Sequence, residues 1–164
     1  MKKLMLVFML FLLVGCNNSS VIHEESYDDE NSDTKYVTVF SKDGKIVIDT
    51  KDVTSKAIFV NYEVDGVIIQ FIVVRGTDGV VRIAFNTCQA CNPSPKAYFI
   101  QKGDYIECQN CGNKFHINKI GIESGGCNPA PVLDKEIDGD NIIIDKTYVD
   151  SYKNKFERWN GPVK

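Results

Sequence analysis

Two Cys-x2-Cys pairs, Cys88 with Cys91 and Cys108 with Cys111, constrain this chain more than any other feature, and sixteen residues separate them. Two residues between thiols allow one tight loop to present both sulfurs to the same point. Two such loops that face each other form a tetrahedral cage of four thiolates around a metal. The spacing falls in the range typical of metal sites. The four cysteines are therefore predicted to be metal ligands.

Disulfide bonds and thiol–disulfide redox chemistry are the alternatives for these cysteines. A bridge within Cys-x2-Cys closes a very small loop and adds little stability, and neither pair opens a helix that would lower a thiol pKa. Metal binding is therefore favoured, and zinc and iron–sulfur are the two alternatives for the metal. Zinc would make the site purely structural, whereas iron–sulfur would make it an electron carrier. Spacing alone leans toward zinc.

Cys127 and His116 are additional candidate ligands. Cys127 follows Gly125-Gly126 and precedes two nearby prolines, a pattern that indicates a rigid, sharply turning loop. It is expected to line the metal pocket, to pair with a partner or to be a buried free thiol. His116 lies five residues after Cys111. A lone histidine beside a strand more often makes structural contacts than binds a metal.

The N-terminus indicates export. Two lysines precede an apolar run at residues 4–14, which is too short to span a bilayer and resembles a secretory signal. The run ends in Leu-Val-Gly-Cys, which resembles the bacterial lipobox. Residues 1–15 are therefore predicted to be a lipoprotein signal peptide and Cys16 to carry lipid, with an ordinary signal peptide as the alternative. The lipid would anchor the protein to the extracytoplasmic face of the cell membrane.

Residues 16–35 are acidic and polar, so they are predicted to be a disordered tether. Removal of the signal peptide leaves 17 basic and 22 acidic residues, a net charge near -5. That balance argues against nucleic acid as a partner, because phosphate neutralisation needs a basic face. No paired carboxylates and no Ser/His/Asp pattern are visible. The chain is therefore expected to be an electron carrier or metal-binding module rather than an enzyme.

Residues 36–164 are predicted to form one domain, mainly β. Asp65-Gly66 separates two β-branched runs, 57–64 and 67–74, and is a strong hairpin signal. Short runs at regular turn spacing favour an antiparallel sandwich or barrel. The other runs are 36–40, 46–48, 80–85, 96–100, 105–108 and 141–145.

Aromatic residues near the C-terminus are spaced as on one face of a helix: Tyr148, Tyr152, Phe156 and Trp159. The spacing predicts a short C-terminal helix packed against the sheet. Asp145 or Thr147 would cap its start, and Gly161-Pro162 would end it.

The order of these motifs resembles a Rieske-type domain. A hairpin is followed by a first ligand loop, a second hairpin, a second ligand loop that ends before Gly112, and a Gly/Pro-rich loop at 125–131. Rieske loops carry one cysteine and one histidine each, whereas this chain has cysteine at all four positions. The resemblance implies a lower reduction potential than in a histidine-ligated cluster.

Residues 36–158 are also similar to the FtrD-like family of membrane-associated iron–sulfur proteins, which is linked to bacterial iron transport. The similarity lies in both cysteine pairs, Gly112, Ile120-Gly121, the Gly-Gly-Cys-Asn-Pro run at 125–129 and the tail from Tyr148 to Phe156. It implies ligation by the four paired cysteines, with Cys127 as an extra cysteine.

The FtrD-like resemblance moves the preferred metal from zinc to iron, as a 2Fe–2S cluster or a single iron. It implies electron transfer, with a membrane redox or iron-transport protein as the partner. The alternatives are a zinc-stabilised interaction lipoprotein and a thiol–disulfide redox lipoprotein.

Overall fold

The computed structural model describes residues 34–163. The predicted signal peptide, Cys16 and nearly all of the predicted tether lie outside that range. Within it the chain is mainly β, as predicted. The strands are β1 (Lys35–Val39), β2 (Ser41–Lys42), β3 (Lys45–Asp49), β4 (Ile58–Val64), β5 (Val67–Arg75), β6 (Val81–Cys88), β7 (Phe99–Lys102), β8 (Tyr105–Cys108), β9 (Lys114–His116), β10 (Pro129–Pro131), β11 (Glu136–Asp138) and β12 (Asn141–Asp145).

The strands form three sheets, in the orders β1-β4-β5-β6-β10, β11-β12-β3-β2 and β7-β8-β9. Neighbouring strands are antiparallel except β1 and β4, which are parallel. No sheet of residues 34–163 closes into a barrel. Of the two predicted all-β arrangements, the open layered one is therefore present.

The five-stranded sheet is the middle layer, because both of its faces are buried. Along β5, Phe71 and Val73 face a core shared with the four-stranded sheet. The alternate residues Ile72 and Val74 face a second core, shared with the three-stranded sheet and its ligand loops. Period-2 alternation places successive side chains on opposite faces. The continuous apolar run in β5 therefore follows from its central position.

The hairpin predicted at Asp65-Gly66 joins β4 to β5. Both turn residues have positive φ, 47° and 76°. That conformation matches the right-handed twist of the strands, and glycine adopts it without steric cost.

The C-terminal helix is present but shorter than predicted. Helix α1 spans Lys146–Asp150, and a 3-10 turn at Lys153–Lys155 follows it. Asp145 is the cap, because its Oδ1 accepts a 2.8 Å hydrogen bond from the Thr147 N–H. No helix in residues 34–163 is long and apolar enough to cross a membrane.

The aromatic stripe packs against the sheet as predicted, but on a helix followed by a turn rather than on one helix. The Tyr152 ring stacks on Phe85 of β6 at 4.0 Å between centroids, and Phe156 contacts the same ring. Packing on Phe85 aligns these side chains, so a continuous helix is not needed.

Candidate metal centre

Each Cys-x2-Cys loop starts where a strand ends, as the sequence predicts. Strand β6 ends at Cys88 and β8 ends at Cys108. The Cys88 carbonyl accepts a 3.0 Å bond from the Asn92 N–H, and the Cys108 carbonyl accepts a 2.8 Å bond from the Gly112 N–H. Gly112 has a φ of 73°, which glycine adopts readily. These turns bring the second cysteine of each pair back toward the first.

Hydrogen bonds hold the two loops side by side. The Gln109 N–H donates to the Tyr98 carbonyl at 2.8 Å. The Ser94 hydroxyl donates to Asn110 Oδ1 at 2.7 Å, which joins the exit of the first loop to the middle of the second. The two cysteine pairs therefore share one end of the molecule.

The sulfurs converge on one pocket. The Sγ atoms of Cys88, Cys91, Cys111 and Cys127 all lie within 4.8 Å of one another. The Cys108 Sγ lies 3.9 Å from that of Cys91. Four thiolates around one tetrahedral ion are separated by about 3.8 Å, since the metal–sulfur distance is about 2.3 Å. None of the five cysteines in residues 34–163 is in a disulfide. The pocket has the donors and the compactness of a thiolate metal site.

Of the two additional candidates, the structure brings Cys127 into the pocket. Its carbonyl lies 3.3 Å from the Cys88 Sγ, which donates to it. The short strand β10 follows directly and pairs with β6, with Pro129 opposite Cys88. This pairing ties the Cys127 segment to the first ligand loop.

His116 lies elsewhere and makes structural contacts. It caps the 3-10 turn Ile117–Lys119, where its Nδ1 accepts a 3.2 Å bond from the Asn118 N–H. Its ring lies edge-on to Tyr105 at 5.3 Å between centroids. His116 is not among the residues whose ligand atoms lie within 4.8 Å of one another in the pocket.

The pocket has a buried side and an exposed side. Cys88 and Cys108 are buried, Cys91 and Cys127 are half-buried, and Cys111 is exposed. Burial raises the pKa of Cys88, and it raises the pKa of Cys108 to about 11. Burial also acts on Cys111, but the Asn113 N–H and neighbouring thiols lower the pKa of Cys111 to about 7. The thiol of Cys111 is therefore more easily deprotonated than the buried thiols of Cys88 and Cys108.

A buried chain of side-chain amides supports the first ligand loop. Asn86, two residues before Cys88, is fully buried. Its Nδ2 donates to Gln70 Oε1 at 2.7 Å, and its Oδ1 accepts from the Phe99 N–H at 2.7 Å. Gln70 in turn donates to Asn61 at 2.7 Å. These residues were not predicted from the sequence, although three amides within otherwise apolar strands are a visible signal.

The C-terminal segment braces the same loop from outside. The Trp159 Nε1 donates to the Asn86 carbonyl at 2.7 Å. The Asn160 N–H donates to the Pro95 carbonyl at 2.9 Å, and Asn92 Nδ2 donates to the Lys155 carbonyl at 2.6 Å.

The donor set fits a soft or borderline metal. The close group of four donors, Cys88, Cys91, Cys111 and Cys127, is all sulfur and contains no carboxylate and no imidazole, and the Cys108 sulfur lies beside it. Thiolates select zinc, copper(I) and iron–sulfur clusters over hard cations that prefer oxygen. The residues present therefore suit an iron–sulfur group as well as zinc.

Comparison with protein families gives a match over residues 53–156, to the family described as membrane iron–sulfur containing protein, FtrD-like. The matched region contains all five pocket cysteines. No curated protein matches the chain. Since the match spans more than half of its length, this chain belongs to the FtrD-like family of membrane iron–sulfur containing proteins.

Proposed function

We propose that this protein is a lipid-anchored, extracytoplasmic iron–sulfur protein that transfers electrons in a membrane redox chain, with iron transport as the favoured pathway. One observation carries the proposal: five thiols converge on one pocket in a chain of an iron–sulfur family. Electron carriers need a metal close to the surface and a rigid frame around it.

The two cysteine pairs supply the proposed ligands Cys88, Cys91, Cys108 and Cys111, with Cys127 as an additional thiolate. An iron–sulfur group, a 2Fe–2S cluster or a single iron, would supply one-electron redox chemistry when bound. The chain's own contribution is to bury the inner sulfurs and to hold the loops by strand ends and backbone hydrogen bonds. Thiolate ligation without histidine predicts a lower potential than that of a Rieske cluster.

The exposed side of the pocket supports contact with a redox partner. Cys111 lies on the surface, and Asn110, Gly112 and Asn113 around it are exposed. A partner that docked there would approach the ligand shell directly. A membrane redox or iron-transport protein is the proposed partner, and a Rieske-like placement of two ligand loops at one tip is part of the same proposal.

A zinc-stabilised interaction lipoprotein is the second candidate. The observation that favours it is the compactness of the pocket. Four sulfurs, those of Cys88, Cys91, Cys111 and Cys127, lie within 4.8 Å of one another and suit a single tetrahedral ion, with Cys127 in the place of Cys108. In that case the metal would stabilise the fold, and a partner would bind elsewhere.

Anaerobic purification of the full chain from its membrane fraction tests the two candidates. Visible thiolate-to-iron absorption together with iron and acid-labile sulfide supports electron transfer. Colourless protein with one zinc contradicts it and supports the second candidate. Protein without metal that gives a two-electron thiol titration contradicts both, and it indicates thiol–disulfide chemistry.

The lipid anchor is tested separately through Cys16. The parent chain is expected to incorporate labelled fatty acid and to sediment with membranes. Cys16→Ser is expected to incorporate none and to leave the membrane fraction or keep its leader. Incorporation by this variant would contradict lipidation at Cys16.

A further inference from the structure

Gln89, between the two cysteines of the first pair, reaches across to the segment that carries Cys127. Its Oε1 accepts a 3.0 Å hydrogen bond from the Gly125 N–H. Its Nε2 points at the Pro129 carbonyl, 3.3 Å away, and lies 3.5 Å from the Asn128 carbonyl. The backbone N–H of Gln89 also donates to Asn128, at 3.1 Å. One residue therefore binds the chain on both sides of Cys127.

The segment that Gln89 holds has little structure of its own. Residues 121–128, here the Cys127 loop, form no helix or strand. Gly125 and Gly126 both have positive φ, 86° and 58°. Within the loop, Asn128 Nδ2 donates to the Gly125 carbonyl at 2.9 Å. Because a glycine-rich loop costs much conformational entropy to order, its position depends on bonds to a rigid neighbour.

Gln109 occupies the same place in the second Cys-x2-Cys pair but makes a different contact. Its Nε2 donates to the Glu107 carbonyl at 2.9 Å, within its own hairpin. The two glutamines thus hold the same position within their cysteine pairs. The side chain of Gln89 bonds to the Cys127 loop, whereas that of Gln109 bonds to Glu107. This difference provides a matched control.

We propose that Gln89 is a positioning residue that holds Cys127 against the other cysteines of the metal centre. The proposal rests on the proposed function in taking the centre to hold a metal. Groups that orient metal ligands typically affect metal affinity by about 10- to 100-fold. Loss of the Gln89 side chain is expected to act in that range through Cys127.

The test uses the full chain, loaded with its metal, in five forms: parent, Gln89→Ala, Cys127→Ser, the double variant and Gln109→Ala. The rate of metal loss to a chelator is measured for each. Gln89→Ala and Cys127→Ser are each expected to raise the rate about tenfold or more. The double variant is expected to match Cys127→Ser, because Gln89 acts only through Cys127. Gln109→Ala is expected to stay near the parent.

Alkylation followed by mass mapping gives a second readout. In loaded Gln89→Ala, Cys127 is expected to become reactive while Cys111 stays protected. In metal-free protein, the same variant is expected to speed alkylation of Cys127 relative to Cys111. Gln89→Glu keeps an acceptor for the Gly125 N–H and loses the donor to Pro129, so an intermediate effect is expected.

The role of Gln89 would be overturned if Gln89→Ala lost metal at the parent's rate and kept the parent's Cys127 reactivity while Cys127→Ser lost metal faster. The proposed function would not be affected by that result. Additive effects in the double variant would also overturn the role of Gln89. A parent protein that binds no metal would overturn the proposed function, while the metal-free alkylation still decides whether Gln89 holds the loop.

Discussion

The sulfur of Cys108 lies 3.9 Å from the sulfur of Cys91, although the two residues are 17 positions apart in the chain. Each belongs to a different Cys-x2-Cys pair. Their contact means that the second loop adds a buried sulfur directly to the first loop's pair. The two loops therefore serve one centre rather than two separate sites.

Replacement of Cys108 by serine is expected to lower the metal content of the purified protein at least tenfold. The side chain is 1% exposed, and a buried hydroxyl replaces a thiolate that a soft metal prefers. Metal analysis and the visible spectrum measure the loss. Val47→Ser, at an exposed position of β3 in the four-stranded sheet, serves as the control and is expected to load normally. Full loading of Cys108→Ser would exclude it as a ligand.

Trp159, the single tryptophan, is expected to report on the metal. Its Nε1 donates to the carbonyl of Asn86, two residues before Cys88, so the indole is near the pocket. A coloured iron–sulfur group this close to the indole should quench the tryptophan fluorescence several-fold, because it absorbs at the wavelengths that tryptophan emits. Zinc is colourless and should not quench it. Emission is compared between metal-free, iron-loaded and zinc-loaded protein. Equal emission from the iron-loaded and metal-free forms would contradict the prediction.

Asn86→Ala is expected to destabilise the domain by about 3 kcal/mol, because it removes the acceptor of the buried Phe99 N–H and the donor to the buried Gln70 Oε1. Urea denaturation measures the change. Asn61→Ala removes one bond at the other end of the same chain of amides and should cost less. Equal losses in the two variants would argue against a central role for Asn86.

Asp145→Ala is expected to lower the thermal midpoint by a few degrees at neutral pH, since Asp145 caps α1 and pairs with Lys45. Bonds from the Thr147 hydroxyl and N–H, and then from Lys45, lower the pKa of Asp145 to about 2. Because folding lowers this pKa, the ionised Asp145 carboxylate stabilises the fold fully at pH values above 3.8, the ordinary pKa. This stabilisation is lost as the pH falls through about 2.

The difference in thermal midpoint between the parent and Asp145→Ala should therefore shrink as the pH falls from 3.8 to about 2. Thermal melts over that range measure it. Asp138→Ala, at the exposed end of β11, is the control and should melt near the parent. A difference that does not change with pH would show that the carboxylate's charge is not responsible.

Local patterns predicted the parts of the fold that local energetics determine. The β-branched runs that became β4 and β5 are long and apolar, and the Asp65-Gly66 turn between them needs only its own two residues. Both features can be read from neighbouring residues alone. The metal-ligand spacing is equally local, because two residues between thiols determine what one loop can do.

The short strands could not be predicted in this way. Strands β2, β9, β10 and β11 have two or three residues each, and β10 reads Pro-Ala-Pro. Each is extended because it pairs with a neighbouring strand, which for β10 is β6. The length of the C-terminal helix was overestimated because this also depends on tertiary contacts. Contact with Phe85, rather than helical periodicity, aligns Tyr152 and Phe156.

Residue patterns alone predicted the β class, the family and the two cysteine pairs that define the candidate centre. They named Cys127 and His116 as possible additional ligands, with Cys127 as the extra cysteine that the family resemblance implies and His116 more often expected to make structural contacts. Tertiary contacts decided that Cys127 reaches the pocket, because the position of a glycine-rich loop depends on distant partners. Bonds to Gln89 and the pairing of β10 with β6 bring Cys127 to the other sulfurs, whereas the cap that His116 forms keeps it at its own turn.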